Sequence, residues 1–519
     1  MGLKRVIARN VIWNWAGVVT SMAAGFVVAP FLVRHLGNTT YGLWILIGSL
    51  TGYFGLLDLG VRGSVGRYIA FHRAKHDQAG VNSILSTGLG ILTAVGLLGL
   101  LLTGGIVLVF FHLFEVPPDQ AAGTRLALLI VGLNLAAMLP LNVFDATLWA
   151  FQRFDALNVV DIVMVAMRTT LTFWMIGQGN GLVALALITL GCTLGGALAK
   201  ATISFRLNPE LRLGPSHIKR WAAGSLYGYG IWHVLLSLAR MALPKLNPVI
   251  VGSRLGVAMV TPFAIATRLM EYATSILISS TGVLTPVATT LHAEESRDQQ
   301  RKLFLLGGKY CLTLALFFCL LFLCLGRPFL ILLMGPAFGS SSTLLTILAV
   351  GEILPLSQWA TTSMILGMGR HRVLALMSLI EAMVGVGLAF MLLGPFGLAG
   401  VCVGMVLPGF IFRGTGPLIF GCRLAGVSPW DYVKRALLPP FAAAIVPGMG
   451  LALLAHWKPP SSWPELVLET AIFGACYAVG ALLILFGRGQ QWAPAAKLTS
   501  AVLSLRDKSK IVFSKARLS

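Results

Sequence analysis

The chain has 519 residues, 57% hydrophobic and 11% charged, with a mean hydropathy of +0.84. A soluble globular chain carries about 25% charged residues, so a water-soluble enzyme or scaffold is excluded and lipid must cover most of the surface. The net charge of +21 does not signal a nucleic-acid partner, because the cations stand in short loops between apolar runs, the pattern that orients a membrane protein.

A span needs about 20 mostly apolar residues. Fourteen stretches qualify: roughly 11–33, 41–61, 83–111, 125–150, 156–177, 181–204, 222–250, 257–290, 303–325, 343–367, 373–393, 398–420, 438–456 and 466–486. The first follows MGLKRVIARN, has no small-residue cleavage site, and reads as a retained span rather than a signal peptide. An even number of spans puts both termini on one side. The loops and tails on that side hold 27 basic residues, among them Arg62, Arg67, Arg73, Lys75, Arg212, Lys219, Arg220, Lys434 and Arg435. The opposite side holds five: Arg34, Arg125, Arg254, Arg327 and Lys458. The basic side is therefore expected to be cytoplasmic. The tail 488–519 mixes apolar and basic residues and reads either as a helix lying on the anionic inner leaflet or as a disordered basic segment.

VAPFLVRHLG at 28–37 aligns with LNPVIVGSRLG at 246–256. Pro30 and Pro248 differ by 218 positions, Gly37 and Gly256 by 219, His72 and His292 by 220. Six spans fill that period, so both copies run in the same sense, as in parallel repeats related by an axis along the membrane normal. The expected fold is an all-α polytopic membrane protein of about fourteen helices. It has an N-lobe (1–220, spans 1–6 and the following loop), a C-lobe (221–422, spans 7–12), two appended spans (423–487) and the basic tail.

Ionisable residues deep in spans face a protein interior or an aqueous cavity. Asp58 and Arg62 are four apart and can pair on one helix face; so can Arg268 and Glu271, three apart. Asp145 is also deep. Arg413 and Lys309 stand near the cytoplasmic surface and are expected to snorkel. Arg168 lies twelve residues, roughly 18 Å, into span 5, with Asp161 two turns before it. In span 7, Tyr229, His233, Ser237, Arg240 and Asn247 fall at spacings of 4, 4, 3 and 7, one polar stripe down an apolar helix. Helix packing accounts for Ser237 and Tyr229; a cation with no acid in the same stretch points to a cavity. Lys245 lies off the stripe, between Pro244 and Pro248, which break the helix. Arg168, His233, Arg240, Lys245, Asn247 and Arg268 are thus the candidate substrate-binding set, and a phosphate-bearing substrate fits their field. Asp58, Glu352 and Glu381 are candidates for ion coupling. For Glu352 and Glu381 the alternative is a protonated carboxyl hydrogen-bonded between helices.

No Walker A, HExxH or GxSxG sequence is present, so no catalytic role is expected. The seven cysteines form no CxxC or Cys/His cluster and read as small core hydrophobes. No metal, cofactor or nucleic acid is expected.

The segment RNVIWNWAGVVTSMAAGFVVAPFLVRHLGNTTYGLWILIGSLTGYFGLLDLGVRGSVGRYIA resembles the start of bacterial polysaccharide transporters, the Wzx-type oligosaccharide (O-antigen) flippases. These belong to the multidrug/oligosaccharidyl-lipid/polysaccharide (MOP) exporter superfamily. The matching features are Pro30 before HLG, Tyr41-Gly42, and FGLLDLG leading to RYIA; LGVAMVTPFAIATRLMEY adds a second segment. The resemblance implies two six-helix bundles that alternate between inward and outward openings in the bacterial inner membrane. It implies transfer of undecaprenyl-pyrophosphate-linked oligosaccharide to the outer leaflet, with polysaccharide polymerase machinery as a further partner. Cavity cations would hold the pyrophosphate, and Arg240, Lys245 and Arg268 stand where that role falls, although the family has no fixed motif there. A lipid II flippase shares the fold and charge logic. A drug or metabolite antiporter would want an acidic cavity, and a membrane glycosyltransferase, ligase or polymerase would want a large outer loop.

Overall fold

The computed structural model describes residues 3–58, 60–227, 231–282 and 284–486, without the side chains of 3–14, 56, 57, 227, 231–237, 286, 293 and 484–486. The basic tail and Tyr229 lie outside the described residues, as do the side chains of His233 and Ser237. Among the described residues the chain is helical, with no strand. The helices are α1 Leu3–Gly52, α2 Val61–Ala74, α3 Gln78–Leu113, α4 Pro118–Ala150, α5 Phe154–Gly177, α6 Leu182–Leu207, α7 Arg220–Tyr227, α8 Ile231–Leu255 and α9 Val260–Thr281. They continue with α10 Leu284–Ala293, α11 Arg297–Met334, α12 Ser341–Ser357, α13 Trp359–Gly367, α14 His371–Gly409, α15 Gly416–Ala425, α16 Pro429–Tyr432, α17 Leu438–Trp457 and α18 Trp463–Phe486. π-helical turns at Phe410–Thr415 and Val433–Leu437 lead into α15 and α17.

Among the described residues, ten stretches are long and apolar enough to cross a membrane. Two hold more than one crossing. Trp15–Gly55 has 41 residues and His371–Ala425 has 55, about 60 and 80 Å of helix against a hydrocarbon core of about 30 Å. Each bends at a left-handed glycine, Gly37 (φ 77°) and Gly397 (φ 55°), so each supplies two of the expected spans. The expected stretches 222–250 and 257–290 are helical as α7–α8 and α9–α10 and stand outside the ten; α8 carries Arg240, Lys245 and Arg254.

The internal period reappears in the backbone. Left-handed residues recur as Gly37 and Gly256, His76 and Glu295, Gln152 and Gly369, and Gly179 and Gly397, at separations of 219, 219, 217 and 218. Each pair closes a helix or bends one, so the turns repeat even where side chains have diverged.

The chain forms two compact units. The first comprises Met1–Tyr272, Leu333–Leu348 and His371–Gly409. Its core joins Val61, Val65 and Ile69 of α2 to Ile84, Leu85 and Leu92 of α3, Val143 of α4 and Leu226 of α7. Small residues bring backbones close: a β-carbon on Gly96 would collide with the Ala136 carbonyl, and one on Gly42 with the Val257 carbonyl. The second unit comprises Ala273–Leu332, Ala349–Arg370 and Phe410–Ser519. One cluster in it packs Leu312 and Leu316 of α11 on Leu451 of α17 and on Phe473 and Tyr477 of α18. The Tyr477 hydroxyl donates to the Thr313 carbonyl at 2.7 Å. A second cluster centres on Tyr432, whose ring lies 4.6 Å from that of Phe304.

Candidate functional site

Three helices of the first unit build a cationic site. α1 presents small residues to α8: Lys245 Nζ donates to the Gly48 carbonyl at 3.4 Å, and a β-carbon on Gly52 would stand 3.0 Å from that nitrogen. Glycine at 52 therefore leaves the room that the lysine stem fills. Just beyond α1, the Tyr53 hydroxyl donates to the Ala242 carbonyl at 3.1 Å and ties the end of that helix to α8. α9 contributes Arg268, whose Nη1 meets Glu271 Oε2 at 2.9 Å, with both side chains about half exposed. Both members of that pair act electrostatically on Lys245, and Arg268 acts also on Tyr41 of α1 and on Tyr272. Tyr272 packs on Phe26 with ring centroids 4.7 Å apart, and its hydroxyl fills the space over Gly25. Arg268 thus pairs with the one carboxylate, and Lys245 stands within electrostatic reach of both.

The polar stripe of α8 divides. Arg240 is exposed. Asn247 is fully buried, and neither atom of its amide has a hydrogen-bond partner among the described residues. Each such orphaned group costs about 1–3 kcal/mol. The next residue, Pro248, has no N–H and deprives the Pro244 carbonyl, one turn earlier, of its helical partner. Toward α14, Leu243 fills the space over Gly385, and the Arg254 guanidinium lies 4.7 Å from the Phe390 ring. Glu381 is buried on α14. Arg168 is exposed on α5 and acts electrostatically on Cys192 of α6.

Two expectations about charged residues are corrected. Asp58 does not pair with the Arg62 side chain: its Oδ1 accepts the Arg62 backbone N–H at 3.0 Å, at the start of α2, where helix N–H groups lack partners. The Arg62 guanidinium turns instead to Asp145 Oδ2 of α4 at 3.2 Å. Arg413, expected to snorkel, meets Glu352 through both terminal nitrogens, at 3.0 and 2.7 Å. Glu352 therefore has the cation that its own stretch of sequence lacks.

Lys200 was not anticipated. It is 9% exposed on α6, with Nζ 2.8 Å from Asp145 Oδ1 and 2.8 Å from Asp161 Oδ1 of α5. With Arg62 it completes a balanced network of two cations and two carboxylates across four helices, about 10 Å inside the ends of α5 and α6. The signal was present. A membrane-embedded lysine demands a partner, and Asp145 and Asp161 stand in neighbouring spans.

Residues 7–292 match the family model described as polysaccharide biosynthesis protein. The uncharacterized membrane protein EpsK of Bacillus subtilis (strain 168) is 22% identical over 490 residues, covering 91% of this chain and 94% of that protein. A candidate O-antigen transporter of Shigella flexneri is 20% identical over 412 residues, covering 76% and 93%. Among solved structures, an inward-facing multidrug resistance transporter of the MATE family, MOP superfamily, superposes with a TM-score of 0.70 at 14% identity, covering 80% of this chain and 98% of that one. The fold is MATE/MOP-like.

Proposed function

The chain belongs to the polysaccharide biosynthesis protein family, and from that premise we propose that it moves an undecaprenyl-pyrophosphate-linked oligosaccharide from the cytoplasmic to the outer leaflet of a bacterial inner membrane. The cargo would serve export of O-antigen, capsule or exopolysaccharide. The single observation that carries the reading is the placement of Lys245, bonded to the Gly48 carbonyl, within electrostatic reach of the Arg268–Glu271 pair. A pyrophosphate sugar does not cross about 30 Å of hydrocarbon unaided, and a net positive site on membrane helices offsets the loss of its hydration. Arg268 suits phosphate oxygens by its planar fork, Lys245 as a mobile point charge. Tyr272, half-buried on α9, adds a hydroxyl for the same oxygens or for sugar. No bond of the cargo breaks; the prenyl tail stays in lipid while the headgroup changes sides.

In this reading residues 1–220 and 221–422 form two six-helix lobes that alternate access, and 423–487 is an appendix. The termini and basic loops face the cytoplasm. Arg240, Asn247 and His233 extend the site along α8, and Asp58, Glu352 and Glu381 remain the coupling candidates. Polymerase machinery would take up the delivered unit.

The test is binding by the full chain in lipid nanodiscs. A prenyl-diphosphate-linked disaccharide is titrated against the matching neutral prenyl glycoside. The reading expects the diphosphate to bind tighter, and Lys245→Ala with Arg268→Ala to weaken it by roughly tenfold or more, leaving the neutral compound unaffected. Equal binding of both compounds, or an unchanged double variant, overturns it.

A further inference from the structure

Between α6 and α7 the chain crosses the start of α3 as a strap, and its backbone is tied down along its length. Asn208 Nδ2 donates to Gln78 Oε1 at 3.1 Å, the Arg212 N–H to Asn82 Oδ1 at 3.0 Å, and Asn82 Nδ2 to the Glu210 carbonyl at 3.2 Å. Further along, the Lys219 N–H donates to Thr87 Oγ1 at 3.1 Å. Leu211 is buried in the α2–α3 core.

The strap is thus held on its inner side, and what it and the first residues of α7 show outward is amphipathic. Leu213 is 36%, Ile218 50% and Trp221 48% exposed, and Arg212, Lys219 and Arg220 are exposed among them. The neighbouring end of α2 continues the surface. The Trp221 ring lies 5.5 Å from His72, which lies 5.4 Å from the half-exposed Phe71, and Lys75 Nζ stands 4.3 Å from the Phe71 ring centroid. Glu210 is the strap's one carboxylate. Nearby Asp77 is engaged by the Gly80 N–H and His72.

Large apolar side chains on a fixed strap need a cover, and the level of the strap names it. It lies against the first turns of α3, a helix that reads as membrane-spanning, at the end proposed above to be cytoplasmic. There acyl chains give way to headgroups, tryptophan is favoured, and cations meet an anionic leaflet. We propose that the strap and the end of α2 bind anionic phospholipid of the cytoplasmic leaflet. Ile218 and Trp221 sit at the acyl boundary, and Arg212, Lys219 and Arg220 rest on headgroup phosphates. The inference rests on the proposed orientation and is independent of the cargo.

The full chain is placed in nanodiscs of phosphatidylcholine alone and of phosphatidylcholine with one quarter phosphatidylglycerol. Melting is followed in both, and retained phosphatidylglycerol is counted by native mass spectrometry. Wild type is expected to melt higher with the anionic lipid and to retain it. Arg212→Gln, Lys219→Gln and Arg220→Gln together should lower retention by roughly tenfold or more while melting in phosphatidylcholine alone is unchanged. Brominated lipid should quench wild-type fluorescence by a component that Trp221→Phe removes, a readout that needs no charge variant to fold. Three results overturn the proposal: undiminished retention by the triple variant, no quenching component from Trp221, or inorganic phosphate reproducing the stabilisation in detergent, which would mark a soluble-anion site.

Discussion

Arg413 and Glu352 form a two-pronged ion pair between a π-helical turn and α12, with the carboxylate only 11% exposed. Removing one partner of such a pair leaves a charge in an apolar interior and costs about 3 kcal/mol or more, whereas replacing both by apolar groups is close to neutral. Glu352→Leu and Arg413→Met are each expected to lower the melting temperature of the purified protein, and the double variant to recover most of the loss. An additive double variant would show that the two do not act as a pair.

The Lys200 network makes a similar prediction with a different geometry. Lys200→Met leaves Asp145 and Asp161 facing each other with Arg62 alone for compensation, and should destabilise by about 3 kcal/mol. Adding Asp145→Asn should restore part of that stability, because neighbours in one network are not additive. Melting of the four-member cycle in nanodiscs checks it.

Glu271 stands in the cationic site where an anionic ligand would bind, so it competes with that ligand for Arg268. Glu271→Gln is expected to tighten binding of the prenyl-diphosphate sugar by roughly two- to fivefold, the scale of a half-exposed ion pair, and to slow its release. Titration and dissociation rates measured on one preparation separate the two effects.

Asp77 predicts a pH dependence outside the membrane. Its carboxylate accepts the Gly80 N–H and lies 2.8 Å from His72 Nδ1, and these contacts, the backbone one first, hold it below the ordinary carboxylate range. A depressed folded value means that its contribution is complete above the ordinary range near 4 and is lost as pH falls through the lowered value. Hydrogen-exchange protection at the start of α3 should therefore hold at pH 7 and fall in strong acid. Asp77→Ala should lower it at neutral pH by roughly fivefold.

Much of the fold is legible because lipid imposes it: long apolar runs must be helical, since no other open structure satisfies the backbone in hydrocarbon. The left-handed turns at Gly37, Gly256 and Gly397 are legible as glycines, and the period near 219 shows first as two proline segments. Charge pairing is not legible in the same way. Arg62 has Asp58 four residues away and reaches instead for Asp145 on another helix. Glu352 and Arg413 are 61 positions apart. Lys200 finds its carboxylates 55 and 39 positions back. Within a span, sequence reports that a charge needs a partner; only the packing of helices says which one. The cationic site shows both cases, since Arg268 and Glu271 pair within one turn, while their reach to Lys245 depends on how α8 and α9 stand against α1.

The central claim is that Lys245 and Arg268 carry a lipid-linked oligosaccharide across the membrane. It is tested most directly by deleting the gene in its host and complementing with wild type and with Lys245→Ala plus Arg268→Ala. Surface polysaccharide and membrane prenyl-pyrophosphate oligosaccharide are measured together. The account predicts that deletion abolishes surface polymer while lipid-linked units accumulate on the inner leaflet, and that the double variant, at wild-type abundance, restores neither. Unchanged polymer in the deletion strain with only a rise in drug sensitivity, or full rescue by the double variant, would contradict it.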